Sequence, residues 1–144
     1  MSAMSDFLEN KLVDQIFRAQ SAPTTSTLYV ALYTAAPSDT GGGTEVTGGS
    51  YARVSVASSL ANWAGTQATG STTVSTGTSG ATSNNNSITF PTPSATWGTV
   101  THFALYDAAS GGNELFWGAL TIAKTVNTGD TVSFPAASLS VTFA

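Results

Sequence analysis

The sequence predicts a mainly β protein, a single-domain antiparallel β-sandwich or jelly roll with one N-terminal α-helix. Apolar residues recur at a helical period only in residues 5–19, and from Thr27 onward the period changes to two, as in strands. Glycine, proline and asparagine then separate about seven short strand candidates, which is typical of sandwiches and jelly rolls. A chain of 144 residues accommodates one such domain.

The helix is predicted by an apolar stripe, in which Leu8, Leu12 and Ile16 follow one another at four-residue intervals. Such a stripe would be an unusually large exposed patch if water covered it. A Pro/Ser/Thr connector without an apolar anchor separates the helix from the first strand. We therefore expect the stripe to dock on a partner protein rather than on the chain's own sheet.

The two ends of the helix are marked by residues that start and stop helices. Ser5 or Asp6 is the expected N-cap, and Asp6 with Glu9 three residues later has the spacing of a capping box. Pro23, within a run of serine and threonine, ends the helical segment. The helix and its connector thus occupy residues 1–26.

The β-sandwich domain is predicted to occupy residues 27–144. Its first strand begins at Thr27 and is apolar on both faces, so we expect it at the centre of a sheet. A second strand is predicted at residues 51–57. The remaining strand candidates are Ile88–Phe90, Val100–Tyr106, Glu114–Ile122, Thr131–Phe134 and Leu139–Phe143.

A long neutral loop is predicted at about residues 65–87, where glycine, serine, threonine and asparagine leave almost nothing to bury. No formally charged residue occurs between Val54 and Tyr106. Apolar strands resume on both sides, and a split here would leave each part too small to fold alone. We therefore expect a loop that lies over a sheet rather than a linker between domains.

The composition excludes several classes of partner. Charged residues make up 8% of the chain, against roughly 25% in an average soluble domain, and the net charge is −4. Four scattered basic residues do not form the positive patch that a phosphate backbone requires. The longest apolar stretches are far shorter than the roughly 18 residues of a membrane span. We expect neither nucleic acid nor a membrane as partner.

No catalytic residue, metal site or cofactor is expected. The one histidine, His102, lies in a predicted strand, where Asp107 five positions later faces the opposite side. No serine lies in a Gly-x-Ser-x-Gly motif, and the chain has no cysteine.

Acidic residues cluster near predicted turns. Asp39 and Glu45 flank a glycine-rich turn, but the calcium-loop pattern of an EF-hand is absent. Asp107, Glu114 and Asp130 each lie beside a turn. We expect these three side chains to be solvated and to cap turns rather than to form a pair of catalytic carboxylates.

Aromatic residues are the remaining candidates for a binding surface. Most of them are expected in the core, but a strand that is apolar on both faces, such as 115–119, needs cover from a second sheet or another subunit. Some aromatics are therefore candidates for an interface or a sugar-stacking platform. The candidates are Tyr29, Tyr33, Trp63, Trp97 and Trp117.

Five sequence blocks stand out along the chain. They are SDFLENKLVDQIFR (5–18), LYVALYTAAPSDTG (28–41), EVTGGSYAR (45–53), WGTVTHFALYDA (97–108) and GALTIAKTVNTGD (118–130). Together they resemble a family of small tailed-bacteriophage virion proteins that are often labelled tail-fibre-like. The resemblance implies a structural protein of the virion, made in the cytoplasm of the host bacterium and lacking an active site.

Two functions are compatible with that resemblance. The first, which we expect, is capsid decoration: a cement protein that binds the outer head surface and stabilises the shell. It is favoured because the chain lacks the heptads and other repeats that give fibres their length. The alternative is a tail-fibre or receptor-binding component whose polar loops meet a host-surface glycan. The expected partners are the major capsid protein or tail proteins, together with further copies in a homo-oligomer.

Overall fold

The computed structural model describes residues 2–143 as a large antiparallel sheet of six strands, two small two-stranded sheets and one helix. The predicted fold class, a mainly β sandwich with one N-terminal helix, is confirmed. The elements in chain order are β1 Ser2–Met4, α1 Asp6–Arg18, β2 Thr27–Ala35, β3 Thr44–Glu45, β4 Val54–Ala57, β5 Ala81–Ser83, β6 Ile88–Thr89, β7 Gly98–Tyr106, β8 Glu114–Val126, β9 Ser133–Phe134 and β10 Ser140–Thr142.

The large sheet is built around three long strands. Its order is β1-β8-β7-β2-β3. Strands β3 and β4 lie along the same edge of β2, where β4 pairs with the first half of β2 and β3 pairs with the second half. The first predicted strand therefore does lie inside the sheet, as its two apolar faces indicated. The small sheets pair β5 with β10 and β6 with β9.

The two faces of the large sheet have different environments. One face, here called the core face, carries Val30, Leu32 and Phe103 into the main hydrophobic core. The small sheets close this core with side chains such as Ile88 and Val141. The opposite face, here called the outer face, carries a separate buried cluster of two alanines and two tyrosines. Its members are Ala31, Tyr33, Ala104 and Tyr106.

The helix begins one residue earlier than the predicted capping box requires. Ser5 is the N-cap, and its hydroxyl accepts a hydrogen bond from the Leu8 backbone N–H at 3.3 Å. Asp6 is thus the first helical residue, so the predicted Asp6–Glu9 capping box does not form. Because the Ser5 N–H also donates to the Leu115 carbonyl at 3.0 Å, the start of α1 is tied to β8.

Strand boundaries differ from the prediction where pairing, rather than local pattern, decides them. The strand predicted at 51–57 is shorter, Val54–Ala57, because only residues from Val54 onward pair with β2. The strand predicted at Glu114–Ile122 continues to Val126. Strands β1 and β3 are too short for an alternating pattern to reveal them.

The hydroxyl-rich segment 65–87 is organised by two amide side chains. The Gln67 Nε2 donates to the Ser71 and Thr73 hydroxyls at 2.6 and 2.8 Å. Near the other end, the buried Asn84 accepts from the Leu139 N–H at 2.9 Å and donates to the Pro135 carbonyl at 2.8 Å. The segment also contains β5, which pairs with β10. The Gln67 hydrogen bonds order the segment internally, whereas the Asn84 hydrogen bonds and the β5–β10 pairing hold it against the C-terminal strands.

Candidate functional site

The outer face of the large sheet holds a buried polar network. Cross-strand register places Tyr29 opposite Tyr106 and Tyr33 opposite His102, so all four side chains share one face. The Tyr33 and Tyr106 hydroxyl oxygens lie 2.6 Å apart, and the Tyr106 hydroxyl donates to Glu114 Oε2 at 3.0 Å. The three side chains form a continuous hydrogen-bonded chain across β2, β7 and β8.

Glu114 contradicts its expected role. We predicted a solvated turn-capping carboxyl, but the residue is only 6% exposed and its Oε1 has no hydrogen-bond partner among the described residues. Burial raises the pKa of Glu114 to about 7, and the nearby Asp39 carboxylate adds to the rise although the Tyr106 hydroxyl opposes it. Glu114 therefore exchanges a proton near neutral pH.

The other two turn acids behave as predicted. Asp107 accepts a hydrogen bond from the Asn113 backbone N–H at 2.7 Å, and Asp130 accepts one from the Asn127 N–H at 2.8 Å. The difference from Glu114 lies in the partner strand: Tyr106, directly across the hairpin, draws the Glu114 carboxyl inward. The position of Glu114 at the head of an apolar strand was the only signal of burial in the sequence.

An arginine closes the outer face. Arg53 makes a two-pronged ion pair with Glu45, with both N···O distances 2.8 Å, and its guanidinium carbon lies 3.6 Å from the Tyr106 ring centroid. It also donates to the carbonyls of Ala108 and Gly111 at 3.0 and 2.9 Å. One cation thus fixes the 107–113 hairpin loop and the glycine-rich turn before β3 over the tyrosines.

The glycine-rich turn brings a second acid to the same face. Gly43 has a φ of 71°, and a Cβ there would come within 2.7 Å of the Ala35 and Ala36 carbonyls. This tight turn positions Asp39, whose Oδ1 accepts from the Trp117 Nε1–H at 3.1 Å. Asp39 and Glu45, which flank the turn, are thereby engaged by a tryptophan and an arginine.

The five candidate aromatics do not form a single platform. Trp97 is buried, donating from Nε1 to the Gly49 carbonyl at 2.9 Å, and Tyr33 is buried in the outer-face cluster. Trp63 is half-buried against the main core. Only Tyr29 and Trp117 are half-exposed on the outer face. The structure therefore brings two of the five to a common accessible surface.

The apolar stripe of α1 is divided between the chain's own core and its surface. Leu8 is 9% exposed and belongs to the main core, and Leu12 packs half-buried against it. The expectation that the whole stripe docks on a partner is therefore wrong for Leu8 and Leu12, because the first half of α1 lies on β8. Ile16 is 69% exposed.

The second half of α1 presents an uncovered apolar surface, here called the helix end. It consists of Val13, Ile16 and Phe17, which are 50%, 69% and 79% exposed. Their spacing of three and four residues places them on one side of the helix. Of these three residues, the apolar stripe predicted from the sequence included Ile16.

A groove opens beside the second half of β8. Its volume is about 1020 Å³, and the side chains that line it include Val100, Phe103, Leu120 and Phe134. Val100 pairs with Lys124 but His102 pairs with Ala119, so residues 120–123 of β8 oppose one residue of β7. This bulge leaves Ile122 78% exposed at the mouth of the groove.

Residues 2–143 contain no group of three or more histidine, cysteine, aspartate or glutamate side chains arranged to hold a metal ion. Within the same residues, no helix is long and apolar enough to cross a membrane.

Comparison with known proteins places this mainly β chain among the structural proteins of bacteriophages. The chain belongs to the family described as Podophage GP4 fiber I protein gp80, whose model matches residues 3–142. The match confirms the resemblance drawn from the five sequence blocks, and it also spans the hydroxyl-rich segment between them. Membership in a phage fibre family makes the chain a virion component. No curated protein matches the chain.

Proposed function

We propose that the chain is a non-enzymatic tail-fibre or receptor-binding component of the virion, joined to other virion proteins through the helix end. The observation that carries the proposal is the exposed apolar set Val13, Ile16 and Phe17 in a chain whose family is described as a fibre protein. An apolar patch of this kind marks a site of protein contact.

The absence of enzymatic activity is part of the same proposal. His102 shares a hydrogen bond with the neighbouring Thr101 hydroxyl at 2.8 Å, and Asp107 is engaged by Asn113. The buried Glu114 carboxyl accepts from the Tyr106 hydroxyl, which is in turn hydrogen-bonded to the Tyr33 hydroxyl, and this chain supplies no nucleophile activated by a base. The segment 66–79 instead supports a binding role, because it exposes many serine and threonine hydroxyls that suit a glycan partner.

Capsid decoration, which the sequence led us to expect first, is less well supported. The family description names a fibre, and it therefore favours the tail-fibre alternative. The compact size of the chain fits either location and therefore does not distinguish the two functions. Position in the particle and copy number do.

Antibody labelling of purified virions tests the proposal. We expect label at the tail and a copy number of a few dozen or fewer in quantitative gel analysis. Label spread over the head, with a copy number near that of the major capsid protein, would contradict the tail assignment and establish decoration. Blocking antibody that leaves both particle assembly and host adsorption unchanged would argue against a receptor-binding role.

A further inference from the structure

The glycine-rich turn between β2 and β3, residues 36–43, reaches from β2 to β8 and is here called the strap. At its tip, Asp39 Oδ1 accepts a hydrogen bond from the Trp117 Nε1–H of β8 at 3.1 Å. We propose that the strap is a proton-controlled clasp, which is closed on β8 while Glu114 is protonated and is released when Glu114 ionises. This inference goes beyond the proposed function, because it concerns a change within one chain and holds for a tail or a head location.

Few contacts hold the tip of the strap in place. Besides the bond to Trp117, the Asp39 carbonyl accepts from the Asp6 backbone N–H at 2.9 Å. Among residues 2–143, these two hydrogen bonds join the strap to other elements, and both run through Asp39. A Cβ at Gly41 or Gly42 would contact nothing within 4 Å. The returning limb of the strap is therefore not packed against the sheet, and the strap can lift once Asp39 lets go.

The start of α1 and the first turns of β8 bring Asp39 close to Glu114. The Ser5 hydroxyl donates to the Glu114 carbonyl, and the next residue, Asp6, donates its N–H to the Asp39 carbonyl. Trp117, which binds the Asp39 carboxylate, follows Glu114 by three residues and packs on the same outer-face cluster. The strap tip therefore sets a second carboxylate beside the buried one.

An ionised Glu114 would have too few hydrogen-bond donors in the closed structure. The residue is 6% exposed, its Oε2 accepts from the Tyr106 hydroxyl at 3.0 Å, and its Oε1 has no partner among the described residues. Ionisation would place a buried negative charge there with one donor, next to the Asp39 carboxylate. Release of the strap relieves both problems, because water reaches Glu114 and Asp39 moves away.

The groups that face Glu114 from β7, β2 and α1 do not supply a compensating charge. Tyr106 contacts the carboxyl from β7, and Tyr33 on β2 continues the hydrogen-bonded chain. Burial raises the pKa of both tyrosines, so both are neutral near pH 7. At the start of α1, Asp6 adds a further acidic residue beside the strap tip.

The cation of this face, Arg53, favours the ionised form of Glu114 but is held by Glu45, with both N···O distances 2.8 Å. Burial raises the pKa of Glu114 to about 7, and the Asp39 carboxylate adds to the rise. The Tyr106 hydroxyl and Arg53 oppose the rise without cancelling it. Opening hydrates Glu114 and returns its pKa toward the ordinary value, so opening releases a proton and is favoured as pH rises through about 7.

Hydrogen exchange of the full chain, followed by NMR, tests the clasp. The Trp117 indole N–H and the Asp6 backbone N–H both donate to Asp39, so both should exchange with water faster once the strap is released. The Ser5 N–H is the internal control, because it donates to Leu115 of β8 and not to the strap. Trp117→Phe identifies the indole signal among those of the three tryptophans.

Glu114→Gln removes the titrating group. At about pH 8.5, the Trp117 and Asp6 N–H groups should exchange at least about fivefold faster in the wild-type chain than in Glu114→Gln, and at about pH 5.5 the rates should be equal. Comparison at one pH cancels the intrinsic pH dependence of exchange. Glu9→Gln, on the exposed side of α1, is the matched control and should behave as wild type. Equal rates in wild type and Glu114→Gln at the higher pH would overturn the proposal.

Asp39→Asn supplies a second variant, because Asp39 is exposed and asparagine keeps an acceptor oxygen for the indole. Without the second carboxylate, the Trp117 N–H should exchange at least about threefold more slowly than in wild type at the higher pH. Exchange as fast as in wild type would contradict release by repulsion, even if Glu114→Gln failed to fold. Acceleration of the Ser5 N–H together with the Asp6 N–H would also overturn the proposal, since it would mean that the whole start of α1 opens.

Discussion

On the outer face of the large sheet, an arginine and two loops cover Tyr33 and Tyr106, whereas the core face stays open at the groove beside β8. The outer face is closed by directional contacts: the Arg53–Glu45 ion pair and the hydrogen bonds among Tyr33, Tyr106 and Glu114. The core face relies on apolar packing against two small sheets, and that packing ends at the groove. A few charged and hydroxyl groups thus close the outer face, while apolar surface stays available on the core face.

The largest effect should follow from removing the cation that closes the outer face. Arg53→Ala leaves the Glu45 carboxylate without its ion pair and two loop carbonyls without a donor, so we expect a loss of about 4 kcal/mol in the free energy of unfolding. Arg18→Ala is the matched control, because its ion pair with Asp14 is at the surface and should contribute less than about 0.5 kcal/mol. Urea unfolding of both variants checks this, and equal losses would contradict a sealing role for Arg53.

The next effect separates the two halves of α1. Leu8→Ala should reduce the free energy of unfolding by about 3 kcal/mol, because it opens a cavity in the main core. Ile16→Ala should change it by less than about 0.5 kcal/mol, since Ile16 is exposed and alanine favours the helix. Thermal and urea unfolding provide the comparison. A large loss for Ile16→Ala would show that the helix end is covered within the isolated chain.

The buried carboxyl of the outer face should make stability depend on pH. The pKa of Glu114 is raised from 4.5 to about 7 in the folded chain, so the unfolded chain loses the proton first as pH rises. Stability should therefore be fully present below about pH 4.5, fall by up to about 3 kcal/mol as pH rises toward 7, and level off above it.

Glu114→Gln isolates this contribution. The variant should lose the decline between pH 4.5 and 7, whereas Glu9→Gln, on the exposed side of α1, should keep the wild-type profile. Urea midpoints measured across this pH range provide the check. A decline that persists unchanged in Glu114→Gln would assign it to another group.

The smallest effect concerns the hydrogen bonds that attach the start of α1 to β8. The Ser5 hydroxyl caps the helix and donates to the Glu114 carbonyl. Ser5→Ala should cost about 1–2 kcal/mol, while Ser5→Thr, which keeps the hydroxyl, should recover part of the loss. The free energy of unfolding measures both. Ser5→Ala with wild-type stability would mean that Leu8 alone anchors the helix.

The comparison of the two faces also shows what the sequence could predict. The periodicity of apolar residues and the positions of turn-forming residues were sufficient to predict the helix, the central strand β2 and the turn roles of Asp107 and Asp130. They were insufficient for Glu114, because its position depends on Tyr106 across a hairpin, and its raised pKa depends on burial and on Asp39 from a distant turn. Leu8 and Ile16 also could not be told apart from the sequence, because both belong to one apolar stripe. Which part of the stripe is buried depends on how far α1 packs along β8.

Neither β1 nor the groove could be predicted from local pattern. Strand β1 has three residues and forms only because β8 offers a free edge. The groove exists because the register of β8 shifts between Ala119 and Lys124, and no alternation in the sequence signals such a bulge. Features created by pairing between distant segments therefore account for most of what the prediction lacked.

Hydroxyl-radical footprinting of the virion, compared with the isolated chain, tests most directly whether the closed face and the open surfaces have different roles. The account predicts that labelling of Phe17 and Ile122 falls at least about fivefold on assembly, as expected for side chains buried in contacts. Labelling of Trp117, which is half-exposed on the outer face, should stay unchanged. Protection of Trp117, with Phe17 and Ile122 still labelled as in the isolated chain, would contradict it.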